Sequence, residues 1–82
     1  MDPRNAVRTL IEKLLQKKGD SKPFHDTDSL VLSGRLDSID VLEIVVFLEK
    51  NYGIDFGDRP FDQGAVDSVD EIVSLIASEQ VA

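Results

Sequence analysis

The chain predicts an all-α fold: one small domain over residues 1–82, built from three main helices and one short helical turn. Three observations carry that expectation. Apolar residues recur at helical spacing in three separate segments, each bounded by capping and stop residues. The chain has 82 residues and no cysteine, so it must hold itself together without disulfides, through a compact core rich in local contacts. No internal period of self-similarity suggests a repeat array.

The first helix is expected over residues 3–18. Asp2 stands as its N-cap, and Pro3 takes the first helical position, where a missing N–H costs nothing. Val7, Leu10, Ile11, Leu14 and Leu15 then fall on one buried stripe. Lys17 and Lys18 complement the carbonyl end of the helix dipole, and Gly19 supplies the stop. Residues 19–36 show no sustained periodicity. Phe24, Leu30, Leu32 and Leu36 are the anchors expected to hold this stretch as an ordered loop over the core, with His25 on its surface.

The second helix is expected over 38–52, and nine of its fifteen residues are apolar. Val41, Ile44, Val45, Leu48 and Tyr52 share one stripe, enough to pack against a bundle. Ile39, Leu42 and Val46 form a second, roughly opposite stripe, bordered by Glu43 and Glu49. Either this helix is central and buried on both sides, or an apolar strip with acidic edges faces a partner. Gly53 ends it. Residues 54–66, with Gly57, Pro60 and Gly64, leave room for one short turn near 60–64. The last helix starts at Asp67 or Ser68 and has Asp70 and Glu71 in its first turn. Val69, Ile72, Val73 and Ile76 make its buried stripe, flanked by Leu75.

Charge narrows the function classes. Nine Lys and Arg stand against sixteen Asp and Glu, a net charge of -7, which argues against nucleic acid and against an anionic membrane surface. The absence of cysteine removes thiolate catalysis and Cys-based zinc sites. The longest purely apolar run, Ile44 to Leu48, is too short to cross a bilayer, and the first eighteen residues contain no signal-like apolar stretch. A cytoplasmic monomer without membrane insertion is expected. The charge is also uneven: residues 1–22 carry six bases against three acids, and the rest of the chain is strongly acidic. Such an acidic body suits steered encounter with basic partners, or serves solubility alone.

Catalytic constellations are lacking. A single His, no Cys, and no HExxH, P-loop or GxGxxG pattern leave only scattered carboxylates and serines, so the chain is not expected to be an enzyme. Asp26-Thr27-Asp28 opens like a calcium loop, but Leu30 occupies the fifth position and the glycine arrives only at Gly34. The tripeptide Asp-Ser-apolar occurs three times, at Asp28-Ser29-Leu30, Asp37-Ser38-Ile39 and Asp67-Ser68-Val69, and each could be a cap or a turn. Context separates them. Ser29 lies in the loop and Ser68 opens a helix with an ordinary core stripe, whereas Ser38 heads the two-striped helix. A phosphate ester there would meet free backbone N–H groups and the positive end of the helix dipole.

Leu36-Asp37-Ser38-Ile39-Asp40, continued by Val41-Leu42-Glu43-Ile44-Val45-Val46-Phe47-Leu48-Glu49, resembles the Asp-Ser-Leu segment and second helix of the acyl carrier proteins almost position for position. Asp28-Ser29-Leu30, Tyr52-Gly53-Ile54 and Ser68-Val69 with Ile72 and Ile76 extend the resemblance over essentially the whole chain. It implies a small four-helix bundle whose serine, here Ser38, receives 4'-phosphopantetheine from coenzyme A through a phosphopantetheinyl transferase. The arm would then carry an acyl or aminoacyl group as a thioester between biosynthetic enzymes. Asp37 would help present Ser38 and bind the transferase. Asp40, Glu43 and Glu49 would form an acidic edge for basic docking patches, and Ile39, Leu42 and Val46 an apolar strip for docking or for shielding the cargo. Leu32-Ser33-Gly34-Arg35-Leu36 departs from the Asp-Leu-Gly stretch of the fatty-acid synthase type, and Lys50, Arg59 and Gly64 depart from its acidic pattern. The Ser-Gly-Arg-Leu-Asp-Ser pattern is more similar to stand-alone carriers of specialised pathways, including those of D-alanine and other amino-acid transfer. The competing expectation is a non-catalytic acidic interaction domain with no prosthetic group.

Overall fold

In the computed structural model, which describes residues 3–56 and 63–80, three α-helices follow one another: α1 (Pro3–Lys17), α2 (Ser38–Tyr52) and α3 (Val69–Gln80). A 3-10 helix at Gln63–Val66 leads into α3. No strand occurs among the described residues, in keeping with the all-α expectation. The short turn expected near 60–64 is this 3-10 helix, displaced toward α3; positions 60–62, like the expected cap Asp2, lie outside the described residues.

The periodic residues do what their spacing predicts. Val7, Ile11, Leu14 and Leu15 of α1 are buried, with Leu10 packed at their edge. They meet Ile72 and Ile76 of α3, Val41, Ile44 and Leu48 of α2, and Val66 of the 3-10 helix in one core. Helix α3 packs chiefly against α1 and the 3-10 helix and more sparsely against α2. It begins at Val69 because Ser68 is the cap: the Ser68 hydroxyl accepts the Glu71 N–H at 3.1 Å.

Helix α1 stops where Gly19 takes a left-handed backbone, φ 77°. The Asp20 N–H returns to the Leu15 carbonyl at 2.9 Å and the Gly19 N–H to that of Gln16 at 3.0 Å, so two of the orphan carbonyls are satisfied. The reversal places Lys18 in the turn, directly after the last residue of α1. Further along α1, Arg4 pairs with Asp26 at 2.7 Å and with Asp70 at 2.5 Å, and Arg8 pairs with Asp26 while lying 4.7 Å from the Phe24 ring centre. The Asp26 carbonyl also accepts the Asp70 N–H at 3.0 Å. Loop, α1 and α3 are thus tied at one point.

The connection between α1 and α2 is ordered by specific bonds rather than by periodicity. Arg35 lays its guanidinium on Asp20, at 3.1 and 3.2 Å, and on the carbonyls of Lys22 and Pro23. Leu30 donates to the Asp67 carbonyl at 2.7 Å and accepts from Leu36 at 2.8 Å. Phe24, Leu30 and Leu36 are buried as expected, but Leu32 is not: it is 72% exposed. The reason is the Asp67 carboxylate, whose Oδ1 accepts the N–H groups of both Val31 and Leu32 at 2.8 Å. That clamp fixes the turn with Leu32 projecting into solvent.

Candidate functional site

Asp37 begins the site. Its backbone is extended, φ -107° and ψ -173°, and its carboxylate caps α2 by accepting the Asp40 N–H at 3.0 Å. Asp40 reciprocates, accepting the Asp37 N–H at 2.9 Å, which closes a capping box. The box satisfies two of the four orphan amides of the helix N-terminus. The amides of Ser38 and Ile39, the next two, have no acceptor among the described residues. Ser38 itself is exposed at the first helical position, with its hydroxyl uncommitted to any cap.

Lys18 reaches this box from the end of α1. Its Nζ lies 2.8 Å from Asp37 Oδ2 and 2.8 Å from Asp40 Oδ2. The Lys18 ammonium, helped by the Asp40 amide, holds the Asp37 carboxyl down at about 2, and the two carboxylates in turn raise Lys18 above the usual lysine range. Lys17 adds a looser contact to Glu43 at 3.6 Å. The basic start of the chain is therefore partly consumed inside the fold, against the acids of α2.

The second stripe of α2 faces solvent. Ile39 is 70% exposed, Leu42 61%, and Val46 is also exposed, so the alternative of a helix buried on both sides is excluded. Glu49 is exposed beside them and makes no ion pair among the described residues, while Glu43 is half-buried. Asp40 departs from the expected acidic edge. It is only 7% exposed, because at the third helical position its carboxylate turns back to the Asp37 amide and to Lys18. Asp37 remains exposed but is shared with Lys18.

The other two Asp-Ser pairs are placed differently. Ser68 is buried as the α3 cap, and Asp67 turns to the loop. Although burial opposes its ionisation, hydrogen bonds from the Ser29 hydroxyl and from the amides of Leu32, Val31 and Leu30 lower the Asp67 pKa. Asp28 accepts the His25 N–H at 2.8 Å, and His25 is exposed in the loop as expected. Two parts of this arrangement escaped the sequence reading. Lys18 had only a helix-dipole role there, and its link to Asp37 spans nineteen positions with no local signal. The capping box did have one, the Asp-x-x-Asp spacing of Asp37 and Asp40.

Among the described residues no cluster of His, Asp and Glu could hold a metal ion, and no helix is long and apolar enough to cross a membrane. A cleft of about 250 Å³ runs between α1 and residues 20–24, lined among others by Arg8, Glu12, Asp20 and Phe24, and takes no residue from α2. The fold and the site together define a class: a small helical domain that offers a serine at the open head of an amphipathic helix. The chain belongs to the phosphopantetheine attachment site family, whose profile matches residues 5–76. Domains of this family carry 4'-phosphopantetheine, serve as carriers rather than catalysts, and interact with a phosphopantetheinyl transferase and with biosynthetic enzymes. No curated protein and no solved structure matches the chain. The residues present fit such a group: an exposed hydroxyl, two unused amides beside it at the positive end of α2, and a lysine bound to the adjoining Asp37 carboxylate.

Proposed function

We propose that Ser38 is the attachment position and that the chain carries acyl or aminoacyl groups between biosynthetic enzymes. The observation that carries this reading is the contrast among its serines: Ser38 is exposed and free of capping duty, whereas Ser68 is buried as a cap. Ser38 Oγ gains a bond to the phosphorus of the phosphopantetheinyl half of coenzyme A as the pyrophosphate bond breaks and 3',5'-ADP leaves. The hydroxyl proton passes to a base on the transferase or to water. The bound arm supplies a thiol, which holds the cargo as a thioester.

The chain's own residues present that serine and do no chemistry. Asp37 caps α2 and so fixes where Ser38 points, and the unused Ser38 and Ile39 amides favour a negative charge there. Ile39, Leu42 and Val46 are the apolar docking strip. Asp37, Glu43 and Glu49 supply the acidic rim for basic partner patches, with Asp40 acting from beneath as the support of the cap. The Ser-Gly-Arg-Leu-Asp-Ser stretch favours a stand-alone carrier of a specialised pathway, aminoacyl transfer included, over the fatty-acid synthase type.

Intact mass spectrometry after incubation with coenzyme A and a broad-specificity transferase tests the assignment. Wild type gains the mass of one phosphopantetheinyl group and Ser38→Ala gains none. An unmodified wild type, or an arm that persists on Ser38→Ala, would sink it.

A further inference from the structure

The two carboxylates at the head of α2 share one cation. Lys18 contacts both Asp37 and Asp40 at 2.8 Å, with its own side chain only 30% exposed. No other base pairs with either acid among the described residues. Asp40 is only 7% exposed, and Lys18 is the cation within reach of it. A lysine bridging two carboxylates leaves one net negative charge beside Ser38. A phosphodiester on Ser38 would add a second, and without Lys18 the same corner would hold three.

We propose that Lys18 is a positioning residue of the attachment site: it holds the Asp37–Asp40 box closed and acts as the counter-ion that offsets the phosphodiester on Ser38. The inference rests on Ser38 as the attachment position. It gives Lys18 a role distinct from tethering α1 to α2. A tether stabilises the unmodified and the modified chain equally; a counter-ion matters more once the extra negative charge is in place.

Thermal unfolding of both forms separates the two roles. The apo and phosphopantetheinylated forms of wild type, Lys18→Met and Lys18→Arg are melted in low salt and in about 0.5 M NaCl, where charge interactions at an accessible site are strongly screened. Lys18→Met is expected to lower the melting temperature of the modified form by about 2–5 °C more than that of the apo form, the range given by a partly exposed charge pair in a domain of this size. Lys18→Arg restores most of the difference, and high salt narrows it. Should Lys18→Met fail to fold, Lys18→Gln, with a hydrogen-bond donor and no charge, provides the same comparison. Equal losses in both forms, or a difference that ignores salt, overturn the role of Lys18 while leaving Ser38 intact. A wild type that accepts no arm overturns the Ser38 assignment and this inference together.

Discussion

The heads of α2 and α3 carry the same Asp-Ser-apolar tripeptide and use it in opposite ways. In Asp37-Ser38-Ile39 the aspartate is the cap, the serine is the first helical residue and faces water, and the isoleucine is 70% exposed. In Asp67-Ser68-Val69 the helix starts one residue later. The serine becomes the cap and is 6% exposed, the valine is fully buried, and the aspartate is released to bind the loop amides of Val31 and Leu32. A shift of one position in the capping residue turns every following side chain by about 100°. The same three letters yield an open serine in one place and a structural serine in the other.

The comparison breaks most sharply at the serines. Ser38→Ala abolishes arm addition with little change in stability, since the hydroxyl caps nothing. Ser68→Ala takes up the arm normally and loses about 1 kcal/mol in urea unfolding, as a lost serine cap should. An arm mapped to Ser68 by peptide mass spectrometry would refute the distinction.

The third residues come next. Val69→Ala empties a fully buried site and costs about 2 kcal/mol by chemical denaturation, whereas Ile39→Ala stays within about 0.5 kcal/mol of wild type. Ile39→Ala instead weakens transfer to and from partner enzymes, read as a rise in KM for the loaded carrier. Equal stability losses would mean that the second stripe of α2 is core after all.

The aspartates give the smallest effect. The Asp37 carboxyl is held at about 2 in the folded chain, chiefly by Lys18, and Asp20 and Asp26 are lowered by Arg35 and Arg4. A folded pKa below the unfolded value means stability that is full above the unfolded carboxylate range and is lost as pH falls from there through the folded value. Stability therefore declines in acid, with the Asp37 share lost as pH falls toward about 2. Carboxyl carbon NMR of wild type and Lys18→Gln checks this: in the variant, Asp37 titrates at a higher pH.

Much of the fold was legible because local rules cover it. The stripe of α1 with its Gly19 stop, the two stripes of α2 and the Ile72 and Ile76 face of α3 all follow from spacing and capping chemistry, and each lies where the pattern places it. Ser38 stood out for the same reason, as the serine opening a helix with more apolar surface than one core contact needs. Leu32 was misjudged because hydrophobicity marks a residue as able to be buried and says nothing of which way a turn points it. Asp40 was misjudged as a surface acid because only the cap geometry turns its carboxylate inward.

The sequence by itself determined the helical class, the three periodic apolar stripes and the serine at the head of α2, since these depend on neighbours within a turn or two. Only the tertiary structure decided that the strip of Ile39, Leu42 and Val46 is open, that Asp67 grips the loop thirty-six positions before it, and that Lys18 crosses nineteen positions to bridge the two carboxylates of the box beside Ser38. Those outcomes follow from how α1, the loop and α3 pack around α2, and ion pairs and hydrogen bonds between distant segments leave no periodic trace in the chain that makes them.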